Sequence, residues 1–407
     1  MHYIIERQES AEIKKGGSWL LVYGRRKTGK TFLLRRLCNY KNYLLVKKDR
    51  TILFGESSIG HDQVVKTVTG LLEKGKTVVL DEFQRLDESV LEDLMQAHPK
   101  GKLIISGSSS RIIKTVFSRN SPLLGFFLPV NIGLINPEDV LVSLSDLKPE
   151  QRIEFAAFLR DPWLIPFYID EQILEFTYKI IMRSKHIIPA LIGEVFVEEQ
   201  REMSKKYAAI MSYVGSGNWS SNRLANLLYS RKFINDPSPT HVIQYLKNLE
   251  EMGIIESNKL YKAKNRYYYR LRSPIMNLYY YLEDRYNIAN REVTLDEMKP
   301  TLQKLINLEI QNFIADVFAE YHKGRKELFF THDEEIDFII TKRNKASVVG
   351  EVKWKDLSEK DINRFEKKTS RFFCRKIIVG KKIDSRPGKV EALDSKDIVG
   401  MYSGKVA

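Results

Sequence analysis

Residues 24–31 have the sequence Gly24-Arg25-Arg26-Lys27-Thr28-Gly29-Lys30-Thr31, and this stretch decides the fold of the first part of the chain. It matches the phosphate-binding pattern GxxxxGK(S/T) in full. An apolar run at 18–23 precedes it, and a helix-forming run from Lys30 to Leu37 follows it. Because glycine tolerates tight backbone turns, Gly24 and Gly29 let successive N–H groups point at phosphate oxygens. The stretch therefore predicts a strand, a phosphate-binding loop and a helix.

The same stretch predicts a nucleotide ligand. Lys30 is expected to reach the β- and γ-phosphates, and the Thr31 hydroxyl is expected to coordinate magnesium. The N-terminus of the following helix adds its positive dipole. We therefore expect ATP or ADP with Mg²⁺ to bind residues 24–31, with every position of the loop contributing.

A second motif supports this interpretation. Residues 77–82 have the sequence TVVLDE, an apolar strand that ends in two acids. Asp81 is predicted to hold the magnesium shell through water. Glu82 is predicted to orient and deprotonate the attacking water as a general base. The alternative is that the two acids only cap a helix at Phe83, but the phosphate-binding loop upstream favours ATP hydrolysis.

The next predicted strand ends in Ser106-Gly107-Ser108. P-loop ATPases often place a polar group at this point to sense the γ-phosphate, and we predict that role for Ser108. A serine-rich turn without a catalytic role is the alternative.

Composition limits the class of protein. A chain of 407 residues exceeds one ordinary core, so about two to four domains are expected. The net charge of +14 favours a polyanionic partner, although a generally lysine-rich proteome would give the same excess. Cys38 and Cys374 lie far apart, which argues against a disulfide or zinc framework and favours a reducing cytoplasm. No apolar run is long enough to span a bilayer, so we expect no membrane association.

The order of predicted elements indicates an α/β fold. Strand candidates at 18–23, 43–46, 77–80 and 103–106 alternate with helical or loop segments, as in a parallel sheet with crossovers. A helical pattern follows, then a different pattern of helices and a basic hairpin, then a polar linker at 285–298 and mixed helix and strand. The predicted domains are a P-loop ATPase core (1–132), a helical lid (133–202), a winged helix (203–285) and a C-terminal α/β domain (298–407).

Three runs together resemble archaeal P-loop ATPases of the AAA+/STAND type: GRRKTGKT, LDEFQRL and LIISGSSS. Arg7 and Glu9 match the R-x-E that often precedes the first strand in that family, and the resemblance extends over roughly residues 1–400. It implies an ATP hydrolase. Relatives usually carry a Gly-Arg pair where this chain has Gly125-Phe126, so Arg111 or Arg119 would have to supply that arginine.

Residues 203–272 predict a winged helix-turn-helix. Two short amphipathic helices at 205–214 and 221–229 precede Ser238, the expected N-cap of a third helix that ends at Gly253. A basic hairpin follows. The residues expected to face the DNA major groove are Thr240, His241, Gln244, Lys247 and Asn248. The residues expected to contact phosphates are Lys259, Lys262, Lys264, Arg266, Arg270 and Arg272. A protein-docking role for this module remains the alternative.

The C-terminal region contains Asp337, Glu351 and Lys353 in a D…ExK arrangement. This arrangement resembles restriction-endonuclease-like domains, in which two acids bind Mg²⁺ or Mn²⁺ and a lysine polarises the attacking water. Glu309, on a preceding helix, matches the helical acid of these domains and is expected to join the metal site. The alternative is a surface ion pair of Asp337 with Lys353, and related domains often bind DNA without cutting it.

Two functions follow from these predictions. The first is an ATP-driven, DNA-associated protein with a nuclease-like tail. The second is a nucleotide-regulated switch without nuclease activity, whose winged helix binds DNA or protein. A non-enzymatic scaffold is disfavoured because Asp81 and Glu82 are both present. Pathway, base preference and oligomeric state are not determined by the sequence.

Overall fold

The computed structural model describes residues 3–17, 19–96, 100–108, 116–119, 121, 123–199, 201–331, 334–383 and 390–402. Within these ranges the chain forms three β-sheets, of seven, five and two strands. No helix in the described part of the chain has both the length and the apolar character needed to cross a membrane.

The seven-stranded sheet carries the phosphate-binding loop. Its strands are β1 (Trp19–Tyr23), β2 (Asn42–Val46), β3 (Ile52–Phe54), β4 (Ser57–Ile59), β5 (Thr77–Asp81), β6 (Lys102–Gly107) and β7 (Phe127–Asn131). The strand order is β4-β3-β2-β5-β6-β1-β7, with β3 and β4 as an antiparallel edge and all other pairs parallel. Strands β1, β2, β5 and β6 lie at the four predicted positions, so the predicted parallel α/β core is confirmed.

Helices cover both faces of this sheet. They are α1 (Gln8–Lys15), α2 (Lys30–Phe32, continued by a π-helical turn at Leu33–Leu37), α3 (His61–Glu73) and α4 (Glu88–Gln96). Helix α3 buries Val64, Val68 and Leu72, which recur every fourth residue and so form one stripe facing the sheet.

A helical region follows the first sheet, as predicted from the spacing of its apolar residues. It contains α5 (Pro137–Ser143), α6 (Pro149–Leu159), a 3-10 turn at Pro162–Phe167, α7 (Ile173–Ser184) and α8 (Ile187–Glu198). Every residue from Ile153 to Leu159 is buried, so α6 lies inside the core and not on its surface.

Three further helices lead into a hairpin. They are α9 (Lys205–Gly215), α10 (Ser221–Ser230) and α11 (Thr240–Glu251), followed by the antiparallel strands β8 (Ile255–Lys259) and β9 (Tyr267–Leu271). Helix α11 ends at Glu251, and Gly253, two residues further on, has φ of +69°, as expected of the glycine that stops a helix. Ser238 does not cap it. The helix begins at Thr240, and the Ser238 hydroxyl contacts the Thr240 hydroxyl at 2.7 Å instead of a backbone N–H.

The C-terminal part begins with α12 (Pro274–Tyr286) and the long α13 (Leu295–Tyr321). The predicted polar linker between them is packed against the core, because Ile288 and Val293 are buried. The five-stranded sheet contains β10 (Arg325–Phe330), β11 (Glu335–Lys342), β12 (Lys345–Lys353), β13 (Arg375–Gly380) and β14 (Glu391–Leu393), in that order. The first three strands are antiparallel and the last two pairs are parallel, with α14 (Glu359–Lys368) and α15 (Ser395–Gly400) beside them.

One apolar core runs from Ile135 to Tyr402, and two other clusters fill the two faces of the first sheet. Helix α13 passes through the middle of this core and packs against α5, α6, α7, α12 and the strands β10 to β12. The helical region, the three-helix unit and the C-terminal sheet are therefore joined by shared packing.

Candidate functional site

The phosphate-binding loop connects β1 to α2 and is held by hydrogen bonds within the loop. The Thr28 hydroxyl donates to the Arg25 carbonyl at 2.8 Å. Gly24 has no space for a side chain, because a Cβ atom there would lie 2.0 Å from the Ile132 carbonyl oxygen. Gly29 has φ of +85°, in the region that favours glycine. The geometry therefore requires both glycines of the motif.

Arg7 holds this loop from behind. Its guanidinium donates to the carbonyls of Thr28 at 3.0 Å and Gly133 at 3.3 Å. Arg7 also forms an ion pair with Glu9 at 2.8 Å. The R-x-E residues thus clamp the loop to the segment that follows β7.

Lys30 points its ammonium group into the loop. Its Nζ donates to the carbonyls of Gly24 at 2.8 Å and Arg25 at 3.1 Å. Burial lowers the pKa of Lys30 to about 8, although the carboxylates of Glu82 and Asp81 oppose the shift. A buried cation beside turned-in backbone amides is a good receptor for a phosphate group.

Thr31 and Asp81 meet at the base of the cavity, where the Thr31 hydroxyl donates to Asp81 Oδ2 at 2.9 Å. The Tyr43 hydroxyl donates to the same oxygen, and burial raises the pKa of Tyr43 above its usual range. Sequence reasoning missed Tyr43. The signal was present in the sheet order, since β2 lies beside β5 and Tyr43 pairs with Val79, two residues before Asp81.

Glu82 and Ser108 face the same cavity from the ends of β5 and β6. Glu82 has φ of +59°, an unusual value for a residue with a side chain, and forms an ion pair with Arg85 at 2.8 Å. Burial raises the pKa of Glu82, and Asp81 adds to the shift. The Ser108 hydroxyl is buried without a hydrogen-bond partner among the described residues, which suits a group that awaits a ligand.

The cavity has a volume of about 1230 Å³ and both polar and apolar residues in its lining. Residues 26–31, Glu82 and Ser108 supply polar groups. Apolar surface comes mainly from Tyr3, Ile5, Ile135, Trp163, Phe167 and Leu191. A ligand that carries both charged groups and a flat apolar group fits such a lining.

The basic positions of the loop divide in an unexpected way. The Arg25 side chain pairs with the fully buried Asp161 at 3.3 Å, so only the backbone of Arg25 is left to contact a phosphate, as predicted for the loop as a whole. Arg26 borders the cavity but binds Glu194 and Glu198 of α8, each at 2.7 Å. Lys27 borders the cavity and is exposed.

Which arginine replaces the one missing at Gly125-Phe126 stays a prediction. Arg111 lies outside the described residues. Arg119 is exposed on the surface.

The predicted DNA face of α11 is mostly exposed. Thr240, His241, Gln244 and Lys247 reach solvent. Asn248 is buried and its amide donates to the Tyr207 hydroxyl at 2.7 Å, so its predicted role in the groove is wrong.

The hairpin presents four exposed cations: Lys259, Lys262, Lys264 and Arg266. Arg272 is half-buried beside Gly253. Tyr268 stacks against both Trp219 and Phe330, at ring distances of 5.5 and 5.7 Å, and so belongs to the packing.

Asp337 and Glu351 lie on neighbouring strands, one step beyond the Phe338–Gly350 pair. Asp337 accepts from the Val352 N–H at 2.7 Å, and burial raises its pKa to about 7, with the Glu351 charge adding to the shift. Lys353 Nζ lies 3.6 Å from Glu351 and 2.9 Å from Asp361. The two strand acids and the lysine therefore lie close together.

Glu309 does not join them, and the predicted cluster of three acids is wrong. Its carboxylate is buried in an ion pair with Arg270, whose predicted phosphate contact is excluded by the same burial. The α13 side chain that reaches Asp337 is Gln311, with Nε2 at 3.4 Å. No group of three or more His, Cys, Asp or Glu residues in the described part of the chain has the geometry to hold a metal ion.

Comparison with known proteins gives one family match. Residues 17–122 match the family model of the AAA domain. This segment contains the parallel strands β1, β2, β5 and β6, the phosphate-binding loop and Asp81, and is thus similar to the ATPases of that class. The uncharacterized protein MJECL04 of Methanocaldococcus jannaschii is 26% identical over 421 residues, which cover 90% of this chain and 92% of that protein.

Several solved archaeal structures are similar at low identity. The Aeropyrum pernix ORC2 protein in its ADPNP–ADP complexes has a TM-score of 0.38 and 13% identity, over 75% of this chain and 91% of that chain. The Aeropyrum pernix ORC1 protein in complex with DNA has a TM-score of 0.31 and 13% identity, over 69% and 90%. The Pyrococcus horikoshii STAND protein PH0952, with a tetratricopeptide repeat sensor, has a TM-score of 0.31 and 15% identity, over 79% and 47%.

The new position of Glu309 gives a test. Glu309→Gln leaves Arg270 buried with only Glu256, at 3.4 Å, to neutralise it. We expect the free energy of unfolding to fall by about 3 kcal/mol, measured by urea denaturation. Glu297→Gln, on the same helix as Glu309, is the matched control, because it breaks an exposed ion pair with Arg291 and should cost less than about 1 kcal/mol. Equal, small losses in both variants would contradict the structural role of Glu309.

Proposed function

We propose that this protein binds ATP with magnesium, hydrolyses it, and associates with DNA. The observation that carries the proposal is the convergence of Lys30, the Thr31–Asp81 pair and Glu82 on one cavity. The AAA-domain match over residues 17–122 supports the same chemistry.

The residues present fit a nucleoside triphosphate. The space at Gly24 admits no Cβ, so the glycine lets the loop backbone pack directly against Ile132. The orphaned Ser108 hydroxyl supplies a donor at the same end. Thr31 and Asp81 are oxygen donors of the kind magnesium prefers, and bound magnesium would neutralise charge on the phosphates. The apolar residues of the cavity suit the base.

Each side chain then has a defined task. Lys30 neutralises phosphate charge, and Tyr43 holds Asp81 in place through its hydroxyl. Glu82 orients the attacking water and takes its proton, and its raised pKa makes it a stronger base. Ser108 contacts the terminal phosphate.

Two variants test the ATPase proposal. Lys30→Ala removes the buried cation and should weaken ATP binding by about tenfold or more, measured by calorimetry. Glu82→Gln keeps the shape of the site but cannot accept the proton, so ATP binding should persist while kcat falls by about a hundredfold or more.

The matched controls for these variants are Lys47→Ala and Glu73→Gln, which remove the same charges from exposed positions outside the cavity. Both should behave as the parent protein does. Normal ATPase turnover in Lys30→Ala and Glu82→Gln would overturn the assignment.

Support for DNA association comes from charge. The chain carries a net charge of +14, and the hairpin presents Lys262, Lys264 and Arg266 to solvent. Among the described residues none of these three has an acidic partner within 4.0 Å, so they are available for phosphates. With α9 to α11, the hairpin has the element order of a winged helix-turn-helix, which is the module we propose.

The hairpin variant Lys262→Ala/Lys264→Ala/Arg266→Ala tests this part. Duplex DNA should bind more weakly whatever its sequence, and the slope of log affinity against log salt should fall by about one per lost contact. Fluorescence anisotropy at several salt concentrations measures both. A control that removes three exposed lysines from the first domain, Lys47, Lys48 and Lys74, has the same net charge. If both triple variants bound DNA equally weakly, the loss of affinity would come from net charge alone, and the hairpin would not be a DNA contact.

A second candidate is the nucleotide-regulated switch without nuclease activity, and two observations favour it. Arg26 is held by Glu194 and Glu198 of α8, so phosphates entering the cavity would compete with those carboxylates. For the C-terminal domain we propose the restriction-endonuclease-like fold. There Lys353 is paired with Asp361, and the helix side chain beside Asp337 is the neutral Gln311, where an acid was expected. We therefore propose that the Asp337–Glu351 site does not cleave DNA efficiently.

Plasmid nicking decides between the two functions. With Mg²⁺ or Mn²⁺, the purified protein should leave supercoiled plasmid intact, because no third acid completes the cation site. Asp337→Ala is the control for contaminating nucleases. Nicking by the parent protein that disappears in both Asp337→Ala and Lys353→Ala would establish the nuclease instead.

A further inference from the structure

The turn between α14 and β13 presents a bare aromatic ring. Phe373 is 100% exposed, whereas its neighbour Phe372 is buried. The turn is fixed from below, since the Phe372 N–H donates to the Thr369 carbonyl at 2.9 Å and the Thr369 hydroxyl donates to the Phe365 carbonyl at 2.8 Å. Phe373 therefore extends into solvent from a well-held backbone.

A single exposed apolar side chain is common on protein surfaces and indicates nothing by itself. The surroundings of Phe373 are unusual. The Phe372 ring contacts the ring of Tyr261, in the loop of the basic hairpin, at 6.2 Å. The Tyr261 N–H donates to the Leu328 carbonyl of β10 at 2.8 Å. The hairpin loop is thus fastened to the C-terminal sheet beside the turn that carries Phe373.

Cations accompany these rings. The Arg371 guanidinium lies 4.7 Å from the Phe329 ring and 5.4 Å from the Phe372 ring. The Lys262 ammonium lies 5.5 Å from the Tyr261 ring. Arg371 also pairs with Glu334, but Lys262 and its neighbours Lys264 and Arg266 have no acidic partner within 4.0 Å in the described ranges. Aromatic rings interleaved with free cations are typical of surfaces that bind unpaired bases.

The turn is also tied to the strands that carry the two acids. Lys368, at the end of α14, pairs with Glu351 of β12. Arg371 pairs with Glu334, which directly precedes β11 and Asp337. A single strand of DNA whose phosphates contact the hairpin cations would therefore pass both Phe373 and the Asp337–Glu351 pair.

We propose that the hairpin loop and the turn 369–374 form one surface for DNA that contains unpaired bases, with Phe373 stacking on an unpaired base. The hairpin cations hold the flanking phosphates. A blunt duplex hides the faces of its bases except at its ends, so it offers Phe373 nothing to stack on. The inference rests on the proposed association with DNA and specifies which form of DNA is bound.

The test compares two probes on the full-length protein by fluorescence anisotropy: a blunt duplex, and the same duplex with a short central gap. Phe373→Ala should lose about tenfold in affinity for the gapped probe and less than about twofold for the duplex. Phe373→Trp should restore binding. Phe126→Ala is the control, since Phe126 is 37% exposed and directly precedes β7 of the seven-stranded sheet.

A second measurement reports stacking directly. With 2-aminopurine in the gap, binding of the parent protein and of Phe373→Trp should change the fluorescence of that base, and binding of Phe373→Ala should not. Phe373→Ala removes only exposed atoms, so its unfolding midpoint should match that of the parent protein.

The outcomes separate the two proposals. If the parent protein binds neither probe, the association with DNA fails and this inference fails with it. If the hairpin triple variant loses binding but Phe373→Ala binds the gapped probe as the parent does, association with DNA stands and stacking is wrong. Equal losses on both probes would make Phe373 a contact to the DNA backbone and would also overturn the proposal.

Discussion

Asp316, in the middle of α13, binds two cations from different parts of the chain, and the arrangement of the regions depends on it. Arg160, just after α6, lies 2.5 Å away, and Lys326 of β10 lies 2.5 Å away. These cations hold the pKa of Asp316 below its usual range in spite of burial. Asp316 is half-buried and its two cations are largely buried, so removing its carboxylate would leave each cation with one partner fewer where water reaches poorly. Through Asp316, Lys326 of the C-terminal sheet is therefore joined to Arg160 of the helical region.

Further ion pairs extend from Asp316 in both directions. Asp161, next to Arg160, binds Arg25 of the phosphate-binding loop. On the other side Lys326 lies 3.8 Å from Glu256 of the hairpin, which in turn pairs with Arg270. A chain of buried contacts thus connects the loop to the hairpin. Contact alone does not make a switch, which needs an element with two arrangements. The pairs of Arg26 with α8 are the best placed to change, because they border the cavity itself.

Sequence reasoning succeeded where the motif is local. The positions of Gly24, Lys30, Thr31 and Asp81 follow from strand ends and loop spacing, which the chain encodes within a few residues. It failed where a distant partner decides which way a side chain points. Asn248 lies on the polar side of α11, yet Tyr207 takes it inward. Arg25 belongs to the phosphate-binding loop, yet its side chain pairs with the buried Asp161. Such pairings depend on the packing of whole regions, which no local pattern records.

Glu309 illustrates the limit most clearly. It and Gln311 are two residues apart on α13, and two residues of an α-helix differ by about 200° around its axis. Only one of them can therefore face the strand acids. The buried Arg270 on β9 draws Glu309 to its side, so Gln311 faces Asp337 and also donates to the Val352 carbonyl at 2.9 Å. A neutral amide adds no charge for a cation to bind. The need to neutralise one arginine in the core thus decides the chemistry available on the opposite face of the helix.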